Sequence, residues 1–272
     1  MDEAMLKRVQ PQLLEILLEI QRVCRENQIS FFLSCGSFLG AVRHRGFIPW
    51  DDDLDIGMLR ADYEKFRKLA PEKLGENFCF QDWHTDPDYN MPFGKVRRRN
   101  SLYLEAKTRQ LPENGFFVDV FPFDNAPEDL KDRKKYVLRL MNLFRLKLMK
   151  SGARPWMEND RINWKKRLGY LAYQLAACFV SRETLIEKYD ALAVSVPESG
   201  ILCRQRGLSN LNCYESRWCR ELTDYPFEGH LMPGPRAFDE FLRAQFGDYM
   251  TLPPEDQREN RHQIIKVEFP RD

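Results

Sequence analysis

The spacing of apolar residues in the first half of the chain predicts alternating helices and strands. Apolar positions recur every three or four residues over Gln12–Cys24, which predicts a helix that begins after Pro11. The segment Ile29–Cys35 is short and rich in β-forming residues, which predicts a buried strand. Polar and apolar residues alternate strictly over Asp53–Met58, as in a strand with one buried face.

The same spacing predicts an α+β fold in which the second half of the chain is mostly helical. Further strands are predicted at Phe78–Gln81, Gly94–Arg99, Ser101–Glu105 and Gly115–Phe121, the last ended by Pro122. Helices are predicted at Ser37–Val42, Ala61–Leu69, Asp129–Lys150, Trp164–Val180, Glu183–Val194 and Arg236–Phe246. We therefore expect a catalytic core at residues 1–127. Residues 128–272 would form a helical lobe whose C-terminal segment returns to the core.

Composition excludes several classes of protein. With 42 Lys and Arg against 41 Asp and Glu, the net charge of +1 argues against a nucleic-acid-binding protein. The seven cysteines contain no Cys-x-x-Cys pair, so we interpret them as buried free thiols. The N-terminus lacks the pattern of a signal peptide, and the longest apolar stretch, Leu168–Val180, is shorter than a bilayer span. These features predict a soluble, cytoplasmic protein.

One segment of the predicted helical lobe is strongly basic. Nine basic residues and one acid lie between Lys131 and Arg154. One interpretation is a helix that faces the core and has a solvated basic back. The other is a peripheral contact with an anionic membrane surface or a glycan–lipid acceptor at the inner face of the membrane.

Closely spaced aspartates are the strongest chemical signal. Asp53 and Asp55 should share one face of the predicted strand, and Asp51 would continue their row. Neighbouring carboxylates repel each other, and a divalent cation such as Mg²⁺ removes that cost. The alternative is a solvated Asp-rich turn, but the apolar residues of Phe47–Trp50 argue against it.

Two further features fit a phosphate-handling site. Gly36-Ser37 lies where a predicted strand meets a predicted helix, a place where free backbone amides can bind a phosphate. An ordinary turn with a helix cap would look the same. Asp119 stands between Val118 and Val120 in an apolar strand, where a carboxylate needs either a functional partner or a structural hydrogen bond.

The sequence from Ser34 to Ile56, with its Gly-Ser and Asp-x-Asp elements, resembles the signature of the LicD family. That family includes phosphocholine transferases and fukutin-type transferases. The resemblance continues in Phe117–Pro122, Phe227–Gly229 and Phe246–Met250, and covers about residues 10–125 and 215–265. The chain departs from the family at Cys35, where glycine is common and where we expect packing rather than chemistry to be affected. It departs again at Phe246, where tyrosine is usual.

The resemblance implies a nucleotidyltransferase-like mixed sheet and a specific reaction. A phospho-alcohol, such as phosphocholine, would pass from a CDP-activated donor to a hydroxyl of a cell-surface glycan or its lipid-linked precursor. Asp53, Asp55 and Asp119 would hold Mg²⁺, with Mn²⁺ as an alternative. Either Asp119 or Asp51 would act as the general base. Two other functions remain open: nucleotidyl transfer from an NTP to a small molecule, and a catalytically silent glycan- or nucleotide-binding module.

Cationic and small residues near these acids are candidates for binding the donor diphosphate. The set comprises Gly36, Ser37, Arg43, His44, Lys95 and Arg97. A solvated edge strand would equally explain Lys95 and Arg97, and a polar loop contact would explain His44. His230 and His262 have no partner at a recognisable spacing and receive no role.

Overall fold

A curved mixed β-sheet forms the centre of the fold in the computed structural model, which describes residues 1–106, 113–151, 164–204, 213–260 and 262–270. The described strands are β1 (Phe32–Leu33), β2 (Asp55–Leu59), β3 (Phe78–Gln81), β4 (Gly94–Arg98), β5 (Leu102–Glu105), β6 (Phe117–Asn125), β7 (Ile201–Arg204), β8 (Cys213–Glu215), β9 (Leu222–Phe227), β10 (His230–Pro235) and β11 (Ile264–Glu268). The main sheet has the order β1-β2-β6-β4-β3, and β7 and β8 extend it from β6. The α+β prediction is confirmed.

Eight α-helices accompany these strands within the described ranges. They are α1 (Glu3–Glu26), α2 (Cys35–His44), α3 (Arg60–Lys73), α4 (Leu130–Lys150), α5 (Trp164–Cys178), α6 (Arg182–Ala193), α7 (Ser216–Arg220) and α8 (Phe238–Phe246). None of the helices among the described residues combines the length and apolar character needed to cross a bilayer.

Two strand pairings bring distant parts of the chain to one place. Strands β2 and β6 are parallel, and their register sets Asp55 directly opposite Asp119. Strand β11, close to the C-terminus, pairs with β5 beside the core. The hairpin of β9 and β10 contacts the loop after α2, where Glu228 accepts a hydrogen bond from the backbone N–H of Phe47 at 2.9 Å.

Both prolines that were expected to bound an element lie inside one. Helix α1 starts at Glu3 and continues through Pro11, which interrupts one backbone hydrogen bond. The burial of Val9 and Leu13 on either side stabilises the helix despite that cost. Strand β6 continues through Pro122, because on one side of β6 the pairing with β4 ends at Val120 and the pairing with β7 begins only at Phe123. Pro122 therefore lies in the gap between β4 and β7 on that side of β6, where a strand can accommodate a proline.

Two clusters of buried apolar side chains lie in the described chain. The larger lies between the sheet, α1, α2, α3 and α8, and the smaller lies between α4, α6 and the loop that carries Trp83 and Tyr89. Lys147 of α4 belongs to the second cluster rather than to a basic surface. It is 1% exposed, and its ammonium donates hydrogen bonds to the Tyr89 carbonyl and to Asn90. The division into two domains stays a prediction.

The interpretation of all cysteines as free thiols is wrong for one pair. Cys203 and Cys213 face each other on the antiparallel strands β7 and β8, with Cα atoms 4.3 Å apart, and form a disulfide. The spacing of ten residues hid the pair, because the register of the two paired strands determines which residues meet. Among the described residues, Cys24, Cys35 and Cys219 are buried free thiols.

Candidate active site

Three aspartates converge where a loop enters β2. The strand begins at Asp55, so Asp51 and Asp53 lie in the preceding loop. The prediction that they share a strand face with Asp55 is therefore wrong. They are nevertheless close, because the side chains of Asp51 and Asp53 are hydrogen-bonded and both interact electrostatically with Asp55. Gln10 of α1 donates a hydrogen bond to the Asp51 carbonyl at 3.1 Å and fixes the loop from outside.

The neighbouring strand adds a fourth carboxylate, together with a cation. Asp119 on β6 lies opposite Asp55, and its backbone N–H donates to the Leu54 carbonyl at 2.9 Å. Lys95 on β4 lies with its ammonium 2.6 Å from Asp119 Oδ1 and 3.3 Å from the centre of the Phe117 ring. Lys95 thus neutralises Asp119, whereas the loop aspartates have no such close ammonium among their described contacts.

The electrostatics of this cluster favour a bound cation. Burial, the charge of Asp53 and the charge of Asp119 raise the pKa of Asp55 to about 7. Burial and the charge of Asp53 hold the pKa of Asp51 well above its usual range. Burial also raises the pKa of Asp119, although Lys95 opposes that shift. Each carboxylate therefore resists losing its proton until positive charge enters the cluster.

The start of α2 is shaped to fit these carboxylates. A Cβ atom on Gly36 would lie 2.6 Å from Asp51 Oδ2, so only glycine allows that approach. The Ser37 hydroxyl accepts a hydrogen bond from the Asp55 backbone N–H at 2.8 Å and ties the helix to the start of β2. The structure thus brings the Gly36-Ser37 junction to the aspartates. Phosphate binding by that junction stays a prediction.

Cys35 occupies a backbone conformation that favours glycine. Its φ of +50° lies in the left-handed region, which glycine adopts most easily. This conformation agrees with the glycine that is common here in the family that the sequence resembles. Its thiol contacts Arg204 and lies 3.6 Å from the Ser34 hydroxyl. Burial raises the pKa of the Cys35 thiol to about 12, so it stays protonated at neutral pH.

The three other predicted phosphate-binding residues have structural partners. Arg43 lies seven residues after Gly36, about 10 Å along the helix axis, and donates to the Tyr249 carbonyl at 2.7 Å and to His44 at 3.0 Å. Burial and the nearby Arg43 charge lower the pKa of His44. Arg97 is 2% exposed and donates to Gln81 at 2.5 Å and to the Gly115 carbonyl at 2.9 Å. Their role toward phosphate stays a prediction.

Three residues that sequence reasoning missed also lie at the site. Arg204 on β7 is 4% exposed, contacts Cys35 near Asp55, and has no described hydrogen-bond partner at Nε or Nη2. Asp52 is fully buried, and His262 lies 2.9 Å from its Oδ1. No local spacing could have pointed to Arg204 or His262, because strand pairing brings both from distant segments.

The donor set fits a divalent cation. Asp51, Asp53 and Asp55 offer the oxygen ligands that Mg²⁺ and Mn²⁺ accept. The raised pKa values of Asp51 and Asp55 reflect burial and neighbouring negative charge, and Asp119 can complete the set if Lys95 moves to another anion.

Comparison with known proteins relates most of the chain to one family of transferases. Residues 28–150 match the family described as LicD/FKTN/FKRP, nucleotidyltransferase domain. The chain is 27% identical over 257 residues, 92% of each protein, to the lipopolysaccharide cholinephosphotransferase LicD of Haemophilus influenzae. Residues 28–150 carry the LicD-family nucleotidyltransferase domain. Shorter matches, at 38% over 60 residues and 35% over 71 residues, relate it to uncharacterized proteins of Rickettsia typhi and Rickettsia prowazekii.

The range matched by the LicD family domain contains the described carboxylates. Asp51, Asp53, Asp55 and Asp119 all lie between residues 28 and 150, whereas Arg204 and His262 lie outside that range. The C-terminal half therefore adds side chains to a site whose acidic part belongs to the family domain.

Proposed function

We propose that this chain transfers phosphocholine, or a related phospho-alcohol, from a CDP-activated donor to a hydroxyl of lipopolysaccharide or a similar cell-surface glycan. The cholinephosphotransferase activity for which the Haemophilus relative is named, matched over 92% of both chains, supports the type of reaction. The observation that carries the proposal is the cluster of Asp51, Asp53 and Asp55, which requires positive charge and adjoins the cations of Lys95 and Arg204.

The chemistry needs a new phosphorus–oxygen bond and a leaving group. The acceptor hydroxyl oxygen attacks the phosphorus that carries the alcohol, and the bond from that phosphorus to the bridging diphosphate oxygen breaks. CMP leaves with the bridging oxygen and its electron pair, and the hydroxyl proton passes to a base of the protein. Catalysis of phosphoryl transfer depends mainly on positioning and on neutralising negative charge.

The residues of the cluster can supply these functions. Asp53 and Asp55 would hold Mg²⁺ or Mn²⁺, with Asp119 as a third ligand. The bound ion would neutralise charge on the donor phosphates. Lys95, beside Asp119, and the Arg204 N–H groups that have no described partner would bind phosphate oxygens. Asp51, whose pKa is raised by burial and by Asp53, is suited to accept the hydroxyl proton.

Product analysis tests the proposal. The purified protein is incubated with CDP-choline, Mg²⁺ and a lipopolysaccharide acceptor, and products are followed by phosphorus NMR. We expect CMP and a new phosphodiester on the glycan. CDP-ribitol and CDP-glycerol would identify the preferred alcohol. Pyrophosphate released from an NTP, without CMP from any CDP-alcohol, would contradict the proposal and identify a nucleotidyltransferase. No turnover and no binding of CDP-alcohols would contradict it as well.

A mixed apolar and basic surface on α4 suggests where the protein meets its acceptor. Leu130 and Leu138 are 53% and 52% exposed and, with Lys131, Lys134 and Lys135, line a shallow groove of about 520 Å³. Apolar side chains beside lysines suit the surface of an anionic membrane. We propose that this groove contacts the membrane that holds a lipid-linked acceptor, on the cytoplasmic side, where CDP-activated donors are made.

Vesicle co-sedimentation tests this contact. The protein should bind anionic phosphatidylglycerol vesicles at low salt and dissociate as salt rises. A Lys134→Glu/Lys135→Glu variant should bind at least about tenfold more weakly, since each surface lysine contributes about 1 kcal/mol. The matched control carries Lys68→Glu and Lys73→Glu on α3, both exposed. Absence of binding at low salt, or equal loss in both variants, would contradict the membrane contact.

A further inference from the structure

His262 lies against the acidic loop through the pairing of the C-terminal strand. Strand β11 pairs with β5, and His262 precedes β11 by two residues. Its Nδ1 is 2.9 Å from Asp52 Oδ1, and its Nε2 is 3.7 Å from Asp53 Oδ2. The imidazole is therefore in contact with one buried carboxylate while its second nitrogen faces a carboxylate of the candidate site.

Asp52 is placed to orient the ring. It is fully buried, its backbone carbonyl accepts a hydrogen bond from the Tyr103 hydroxyl at 2.8 Å, and its Oδ2 has no described hydrogen-bond partner. A carboxylate that accepts a hydrogen bond from Nδ1 keeps the proton on that nitrogen and leaves the lone pair of Nε2 for a metal. This carboxylate–imidazole pair is a common second layer of metal sites in proteins.

The distance across the pair also fits a shared ion. A metal binds imidazole nitrogen and carboxylate oxygen at about 2.0–2.2 Å each, so two ligands of one ion lie roughly 3–4 Å apart. Nε2 of His262 and Oδ2 of Asp53 fall in that range. One ligand atom from each of Asp52, Asp53 and His262 can be chosen so that all three lie within 4.8 Å of one another.

We propose that His262 is a metal ligand through Nε2, shared with Asp53, and that Asp52 is the positioning residue that holds its ring. The inference rests on the proposed function, which requires a metal at these carboxylates. A nitrogen ligand favours Mn²⁺ over Mg²⁺, because Mg²⁺ prefers oxygen ligands. The C-terminal strand would then complete the metal site of the family domain, and the site would be selective for a transition metal.

Metal binding to the full-length protein tests the inference without an activity assay. Mn²⁺ affinity is measured by EPR of the free ion and by calorimetry, and Mg²⁺ affinity by calorimetry. We expect His262→Gln to weaken Mn²⁺ binding about 10- to 100-fold and Asp52→Asn to weaken it about tenfold. Mg²⁺ affinity should change less. His230→Gln is the matched control, because His230 is exposed on the β9–β10 hairpin.

Pulsed EPR gives a second readout that reduced stability cannot imitate. Bound Mn²⁺ in the wild type and in His230→Gln should show the nuclear coupling of a directly bound imidazole nitrogen, and His262→Gln should lose it. Equal Mn²⁺ affinity in His262→Gln, or no nitrogen coupling in the wild type, would overturn the assignment of His262 alone. A wild type that binds neither Mn²⁺ nor Mg²⁺ would overturn the metal requirement of the proposed function as well.

Discussion

Replacing Asp55 by asparagine should stabilise the metal-free protein at neutral and alkaline pH. The Asp55 carboxyl is buried at the start of β2, and burial together with the charges of Asp53 and Asp119 raises its pKa to about 7 from 3.8. Holding that group ionised in the folded state costs about 4 kcal/mol, because each tenfold change in the acid dissociation constant corresponds to about 1.4 kcal/mol. Asparagine removes the charge and keeps the shape.

The pH dependence gives the sign of the effect. Below about pH 4 both the folded and the unfolded chain keep the Asp55 proton, so the carboxyl costs nothing. Between about pH 4 and pH 7 only the folded chain keeps it, and the free energy of unfolding falls as pH rises. Above pH 7 the full cost is present. The advantage of Asp55→Asn should therefore grow from near zero at pH 4 to as much as about 4 kcal/mol at pH 8.

Urea denaturation and thermal melting in the presence of EDTA at pH 5 and pH 8 measure this difference. The melting temperature should rise by roughly 8–16 °C at pH 8, at about 2–4 °C per kcal/mol for a chain of this size. Asp224→Asn, on the exposed side of β9, is the matched control and should show no pH-dependent gain. An Asp55→Asn variant no more stable than the wild type at pH 8 would refute the electrostatic account of the cluster.

Three further predictions concern separate features of the molecule. Gly36→Ala should lower turnover about tenfold or more with little change in melting temperature, because the new methyl group displaces the Asp51 carboxylate; unchanged kinetics would contradict the close approach. Burial lowers the pKa of Lys147 to about 7, so the free energy of unfolding should rise from about pH 7 to pH 10, and Lys147→Met should lose that rise in urea denaturation. Alkylation of the denatured, unreduced protein should modify five of seven cysteines by mass spectrometry, leaving Cys203 and Cys213; seven modified residues would contradict the disulfide.

The order of elements from α1 to α6 could be predicted because apolar spacing follows the buried faces of helices and strands. The prediction of a mostly helical second half was incomplete, because it missed the short strands β7–β11. Element ends were less predictable, because tertiary packing overrides local signals at Pro11 and Pro122. The sequence allowed Lys95 and Arg97 to be either donor-binding cations or part of a solvated edge strand, and the structure buries both on the interior strand β4. The sequence could not show that Gln81 and the Gly115 carbonyl cover Arg97 there, since that contact depends on the neighbouring strands.

The acidic part of the site was predictable because its residues are close in sequence or alternate within an apolar strand. Asp53 and Asp55 come together as expected, although a loop rather than a strand face brings Asp53 in. The cationic and imidazole groups were not predictable. Arg204 is 169 residues from its contact Cys35, and His262 is 210 residues from Asp52, so only the sheet pairings reveal them.

The most direct test of the central claim is the rate of CMP release from CDP-choline with an acceptor glycan by Asp53→Asn and Asp55→Asn. Both variants should bind metal more weakly and lose at least about 100-fold in turnover, since they remove groups that neutralise charge in the transition state. Asp224→Asn should keep wild-type turnover, and EDTA should abolish the activity of the wild type. Wild-type turnover in Asp53→Asn and Asp55→Asn would contradict a metal-dependent transfer at these aspartates.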